Sequence, residues 1–133
     1  MAFDRIFAGV TVFLEASNQG PNGRRGVAWT LVNRLNSGRY GQTLTGVCLD
    51  PFQYSCWNTS DPDRKRIGKT ADNDPILLDS LAAVDEAMAG GDDPTQGATL
   101  YYSTSMITPP SWAETAQFTV QIGDQRFYKE TVA

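Results

Sequence analysis

Helical periodicity runs from Asp4 to Ala89, and β-prone segments begin only at Thr99. That order restricts the fold more than any other feature. Residues 4–16 carry apolar side chains at Ile6, Val10, Phe13 and Leu14, the i, i+4, i+7, i+8 spacing of a helix with one buried stripe. Ser17 to Gly23 is a run of helix breakers. Residues 24–36 repeat the helical pattern with Ala28, Leu31, Val32 and Leu35, and Ser37-Gly38 ends it. The short loop between these two helices predicts that they pack as antiparallel neighbours. Residues 43–49 read as one short helix stopped by Pro51. Asp74 is a good N-cap with Pro75 at the first helical position. The helix that follows runs to Ala89 with Leu77, Leu81, Val84 and Met88 on one face, and Gly90-Gly91 ends it. Thr99 to Ser105 reads as a strand, and Phe118–Ile122 with Arg126–Lys129 as a hairpin around Gly123-Asp124. Helices first and short strands later predict an α+β fold, a helical core with a small C-terminal antiparallel sheet. The 133 residues fit one domain, 1–133.

Composition narrows the chemistry. With 41% hydrophobic and 20% charged residues, the chain is neither mainly disordered nor a membrane bundle. No apolar run approaches the roughly 20 residues of a membrane span. Phe3 to Leu14 is greasy but lacks a basic n-region and a clear cleavage site, so it reads as a mature helix and not as a signal peptide. The expectation is synthesis in a cytoplasm, with export depending on other factors. The net charge of −4 argues against nucleic acid as a partner. Arg64, Lys65, Arg66 and Lys69, beside Asp61 and Asp63, read as a solvated surface loop. There is no histidine. Ser-His-Asp triads, Cys-His dyads and the usual hydrolytic zinc sites are therefore excluded. Acid–base chemistry must come from carboxyl groups, Lys, Tyr or Cys, and neither a metal nor a cofactor is expected. Cys48 and Cys56 have the spacing of neither a zinc site nor a redox motif. They fit a disulfide closing a small loop, or two buried thiols.

Glu15 is the carboxylate that looks out of place. On a helical wheel it lies away from the apolar stripe, on a strip with Asp4, Ala8 and Thr11 whose small side chains suit the border of a cleft. It also falls in the last helical turn, where the dipole disfavours negative charge. Both the helix end and apolar neighbours act to keep a proton on the carboxyl, as a general acid requires. The plain alternative is an exposed glutamate on an amphipathic helix.

Four blocks, in order, resemble a known family: Phe13-Leu14-Glu15-Ala16; Gly26-Val27-Ala28-Trp29 leading to Asn33-Arg34; Val47 through Asn58; and Gly97-Ala98-Thr99 with Tyr101, Pro109-Pro110-Ser111-Trp112, Ile122-Gly123 and Phe127-Tyr128. The chain resembles the cell-wall hydrolases typified by the catalytic domain of spore-cortex-lytic enzymes, phage-encoded members included. The resemblance implies a fold like that of lysozymes and lytic transglycosylases. It implies cleavage of peptidoglycan at the β-1,4 bond between N-acetylmuramic acid and N-acetylglucosamine, with Glu15 as the acid. In lytic transglycosylases the muramyl 6-hydroxyl closes onto C1, and no second carboxylate is needed, unlike the paired-carboxylate scheme. The chain departs from many relatives by having Leu100 and Gln125 where they carry histidine.

Within this reading, Gln53, Ser55 and Asn58 suit hydrogen bonds to sugar acetamido and hydroxyl groups, or bonds within their own loop. Tyr54, Trp57, Tyr101 and Trp112 suit stacking on sugar rings, or core packing. Trp29 reads as core, and Asp92-Asp93 as the start of a turn and not a metal site. Partners are peptidoglycan strands and, in a phage setting, other virion proteins; the place of action is the cell wall. The competing reading is a virion structural or wall-binding protein that keeps the fold without the activity. A peptidoglycan amidase or endopeptidase is disfavoured by the missing histidines.

Overall fold

The computed structural model describes residues 2–49, 54, 57, 66 and 68–131. The elements are helices α1 (Ala2–Ala16), α2 (Pro21–Ser37), α3 (Leu44–Cys48) and α4 (Pro75–Ala89), then strands β1 (Leu100–Ser103), β2 (Gln117–Ile122) and β3 (Gln125–Lys129). A short 3-10 helix, Ser111–Glu114, precedes β2. The architecture is α+β, as the order of patterns predicts. No helix among the described residues is long and apolar enough to cross a membrane.

α2 is the axis of the domain. Val27, Ala28, Thr30, Leu31 and Arg34 are all essentially inaccessible, and Trp29 and Val32 nearly so. A helix buried on most of its circumference needs neighbours on every side, and α1, α3, α4 and the sheet supply them. α2 also starts earlier than its apolar pattern suggests. Gly20 is the N-cap and Pro21 stands at the first helical position, where its fixed φ and missing N–H cost nothing. Asn22 and Gly23, read as loop, are therefore helical. The helix ends on Gly38 at φ 73°, whose N–H bonds to the Leu35 carbonyl.

α1 buries Phe13 and Leu14 as expected, with Val10 packed against the core, but its inward face is wider than the apolar pattern. Ala8, Thr11, Val12 and Ala16 are fully buried, whereas Ile6 is 53% exposed. The strip read as a cleft border is thus largely core. The cause is close helix packing: a Cβ at Gly9 would lie 3.2 Å from the Leu81 Cα of α4, so α1 and α4 approach over small residues. α4 answers with Ser80, Ala83, Val84 and Ala87 buried, leaving Met88 52% exposed. The cap at Asp74 is as expected, its Oδ1 accepting from the Ile76 and Leu77 amides. α1 leans more on α4 than on α2, and Arg5–Asp85 and Arg25–Glu86 ion pairs flank these seams. Both pairs are exposed and contribute little to stability.

The sheet order is β1-β3-β2, all antiparallel. β2 and β3 form the expected hairpin, with Ile122 opposite Gln125. Its two-residue turn has Gly123 at φ 57°, the position that favours glycine. Strand alternation sends Tyr101, Gln125 and Phe127 to the inner face and Leu100, Tyr102, Arg126 and Tyr128 to the outer. Phe127 packs so closely on α2 that a Cβ at Gly26 would come within 2.6 Å of its ring.

Two consecutive residues of α2 hold β1 in place. Asn33 donates to the Asp93 carboxylate and to the Ala98 carbonyl. The Arg34 Nε donates to the Thr99 carbonyl. Asp93 in turn accepts from the backbone amides of Thr95 and Gly97 and from the Thr95 hydroxyl. It organises a turn, as read from the sequence.

Candidate active site

Glu15 lies half-buried in the last turn of α1, between the buried side chains of Leu14 and Ala16. The helix places it there by continuing the face that carries Ala8 and Thr11. One turn before it, the Thr11 Oγ1 accepts a hydrogen bond of 2.8 Å from the Trp57 indole and donates to the Phe7 carbonyl. Farther back on the same helix, the Asp4 carboxylate accepts from Thr45 at the start of α3. Side-chain hydrogen bonds along this face thus tie α1 to α3 and to the chain beyond it.

The charge of Glu15 reaches two groups beneath it. Cys48 is fully buried, and its thiol is pushed up to about 12, first by burial and in lesser part by Asp4 and Glu15. Tyr54 is also fully buried and pushed up to about 12, again by burial first, with Glu15 adding to it. Arg34 opposes both shifts without overcoming them. Thiol and phenol therefore stay protonated at ordinary pH. A neutral thiol and phenol are poor bases and nucleophiles.

These shifts fix an alkaline limit. Cys48 rises from 9.0 and Tyr54 from 10.0, both to about 12. Below pH 9 both are protonated whether the chain is folded or unfolded, so their contribution is intact. Above it the unfolded chain releases these protons first, and stability is lost as pH climbs toward 12. Urea midpoints are expected to fall between pH 9 and 11, and to fall less in Cys48→Ala; an unchanged pH dependence in that variant would count against a neutral buried thiol.

The structure sorts the other sequence candidates. Cys48 is a free buried thiol, and Cys56 lies outside the described residues, as do Gln53, Ser55 and Asn58. Tyr54 is a correction. Its hydroxyl meets Thr30 at 3.2 Å and its ring lies 4.6 Å from the Arg34 guanidinium. With no accessible surface, it packs and cannot stack on a sugar. Trp57 is half-buried, with its ring stacked on Phe7 at 4.4 Å. Tyr101 is half-buried on the inner face of the sheet, 5.7 Å from Phe127. Leu100 and Gln125, where relatives carry histidine, face opposite sides of the sheet and do not form one site. Gln125 is buried beside Gly23, and its Oε1 has no hydrogen-bond partner among the described residues.

Arg66 was missed. Read as part of a solvated basic loop, it is instead half-buried, donating to the Ser17 hydroxyl at 2.5 Å with its guanidinium 5.1 Å from the Phe13 ring. It brings a cation to the turn immediately after Glu15. The nearest sequence signal is Phe13 itself, an aromatic at the end of a helix that a long-range arginine can cover.

A family model described as cell wall hydrolase matches residues 18–128. The chain belongs to that family. The matched span of this cell wall hydrolase begins just after Glu15 and so does not include it. Two solved structures share the fold. The catalytic domain of the germination-specific lytic transglycosylase SleB from Bacillus anthracis is 23% identical, with TM-score 0.72 over 95% of this chain and 93% of that one. The catalytic domain of the Bacillus cereus SleB protein is 24% identical, with TM-score 0.77 over 97% and 91%. No curated protein matches the hydrolase in sequence.

Proposed function

We propose that this cell wall hydrolase cleaves peptidoglycan glycan strands as a lytic transglycosylase, with Glu15 as the general acid. The observation that carries the reading is the setting of Glu15: a half-buried carboxyl at a helix C-terminus, above a thiol and a phenol held neutral. Glu15 protonates the glycosidic oxygen, which stays on C4 of the N-acetylglucosamine as its bond to muramyl C1 breaks. The resulting carboxylate then takes the proton from the muramyl 6-hydroxyl as its oxygen closes onto C1. Atoms balance without water, and the acid ends protonated for the next turnover.

This route needs one carboxylate. The other acid described on this helix is Asp4, eleven residues back and about 16 Å away along the axis, and it is engaged by Thr45. It is not placed as the second member of a hydrolytic pair, which stands about 5–9.5 Å from the first. Gln53, Ser55 and Asn58 are proposed to hold the sugars, with Tyr101 and Trp57 at the rim, and the phage setting implied by the resemblance belongs to the same reading. Digestion of purified sacculi, followed by mass spectrometry, tests it. The expected products carry 1,6-anhydromuramic ends and appear equally in EDTA at constant pH. Reducing muramic ends would indicate hydrolysis instead; cleaved stem peptides with intact glycan, or zinc-restored activity, would overturn the reading.

A further inference from the structure

The outer face of the sheet has a composition that packing alone does not require. Tyr128 is buried there beneath Tyr102, Trp112 and Phe118, with ring centroids 5.8, 5.2 and 5.5 Å from its own. Arg126 lies over Phe118 at 4.2 Å. This cluster faces away from α2, since Phe127 on the opposite side makes that contact. No helix longer than the 3-10 turn Ser111–Glu114 covers it among the described residues. Two recesses flank that turn. One, of about 370 Å³, is walled by Tyr40, Trp112 and Leu100 with Thr115, Glu130 and Thr131. The other, of about 310 Å³, runs between Tyr102, Tyr128, Pro109 and Pro110.

We infer that the Tyr40–Trp112 recess, whose described lining does not include Glu15, is a second glycan-binding site by which the enzyme grips the strand it cuts; the inference rests on the glycan-cleaving reading above. Its walls combine the aromatic side chains of Tyr40 and Trp112 with hydroxyl and carboxylate oxygens. That mixture suits the apolar faces and equatorial hydroxyls of a sugar ring. Charge selects among wall polymers. The described lining holds one acid, Glu130, and no cation. Glu130 already accepts from Thr99 and pairs with Arg39, so it is held in place with acceptor capacity to spare. A neutral sugar polymer is compatible with that lining. The lining offers no cation to hold an acidic stem peptide or a phosphate-rich wall polymer, and Arg39 beside it is already paired with Glu130. A second hold on an insoluble polymer raises the effective concentration at the cutting site and does nothing for a short soluble fragment.

Thr115→Arg tests this, because Thr115 is exposed at the rim and a long side chain there fills the recess without removing packing. Trp112→Ala is the companion variant for binding alone. Cosedimentation with purified sacculi is expected to weaken by about 10²-fold in both, the lower end of what a lost second attachment removes. Thr115→Arg should cut short soluble glycan fragments at the wild-type rate. Binding should survive enzymatic removal of the stem peptides. Undiminished sacculus binding by folded Thr115→Arg, an equal loss of activity on soluble fragments, or loss of wild-type binding when stem peptides are removed would each overturn the proposal. If wild type binds sacculi through this recess yet cuts no glycan, the cleavage reading fails while this site stands.

Discussion

Glu15→Gln is expected to lower glycan cleavage by at least about 10²–10⁴-fold, the usual contribution of a general acid. Glutamine keeps the size and the hydrogen-bonding reach of glutamate and removes only the transferable proton. The fold should tolerate it. The side chain is half-buried in the last turn of α1, and glutamine fills the same volume. The protein should still fold while turnover collapses. A folded Glu15→Gln protein that lyses sacculi normally would remove Glu15 from the mechanism.

The largest structural effect is expected at Arg34. Its side chain is 2% exposed and pairs with no carboxylate among the described residues. It is held by the faces of Tyr54 and Tyr40, at 4.6 and 5.0 Å, and by the Thr99 carbonyl. Aromatic quadrupoles and a carbonyl dipole thus replace water around a buried guanidinium. Arg34→Ala removes the cation–π contacts, strands the Thr99 carbonyl and opens a cavity, for a cost of roughly 3 kcal/mol. In a domain of this size that lowers the melting temperature by about 10 °C. Arg34→Lys should recover only part of the loss, because a point charge cannot lie flat between two rings. Calorimetry of the three proteins decides it; a loss below about 1 kcal/mol in Arg34→Ala would mean that the buried charge costs as much as its contacts return.

Much of the fold was legible because its elements are punctuated. Asp74-Pro75, Ser37-Gly38 and Gly123-Asp124 mark helix start, helix end and hairpin turn by backbone chemistry that no distant contact overrides. Which face of each helix turns inward was less legible. The pattern favoured Ile6 and Met88, the greasiest candidates, yet the interior took Ala8, Thr11, Ala83 and Ala87. Close approach of α1 and α4 rewards small side chains, and hydrophobicity ranks them low. Pro21 was read as a breaker because the same residue that interrupts a helix also begins one. At the candidate site, Glu15 could be singled out by its place in the last turn. The roles of Tyr54 and Arg66 could not. Each depends on partners far away in sequence, Tyr54 on Thr30 and Arg34, Arg66 on Ser17 and Phe13, and no local periodicity announces such pairings.

The latches at Asn33 and Arg34 bear on the order in which the chain assembles. Each joins groups 65 residues apart, so each closes a loop whose entropy cost, about 4 kcal/mol by (3/2)RT ln n, must be met before the contact returns anything. The β2–β3 hairpin, by contrast, closes across two residues and can form early. The sheet is therefore assembled from one fast local piece and one slow distant one, β1, which docks only after α2 exists to receive it. Run in reverse, β1 is the first strand to come away. A partial opening would then release the Thr99–Ser103 edge with its aromatic residues, while the helices that carry Glu15 keep their packing.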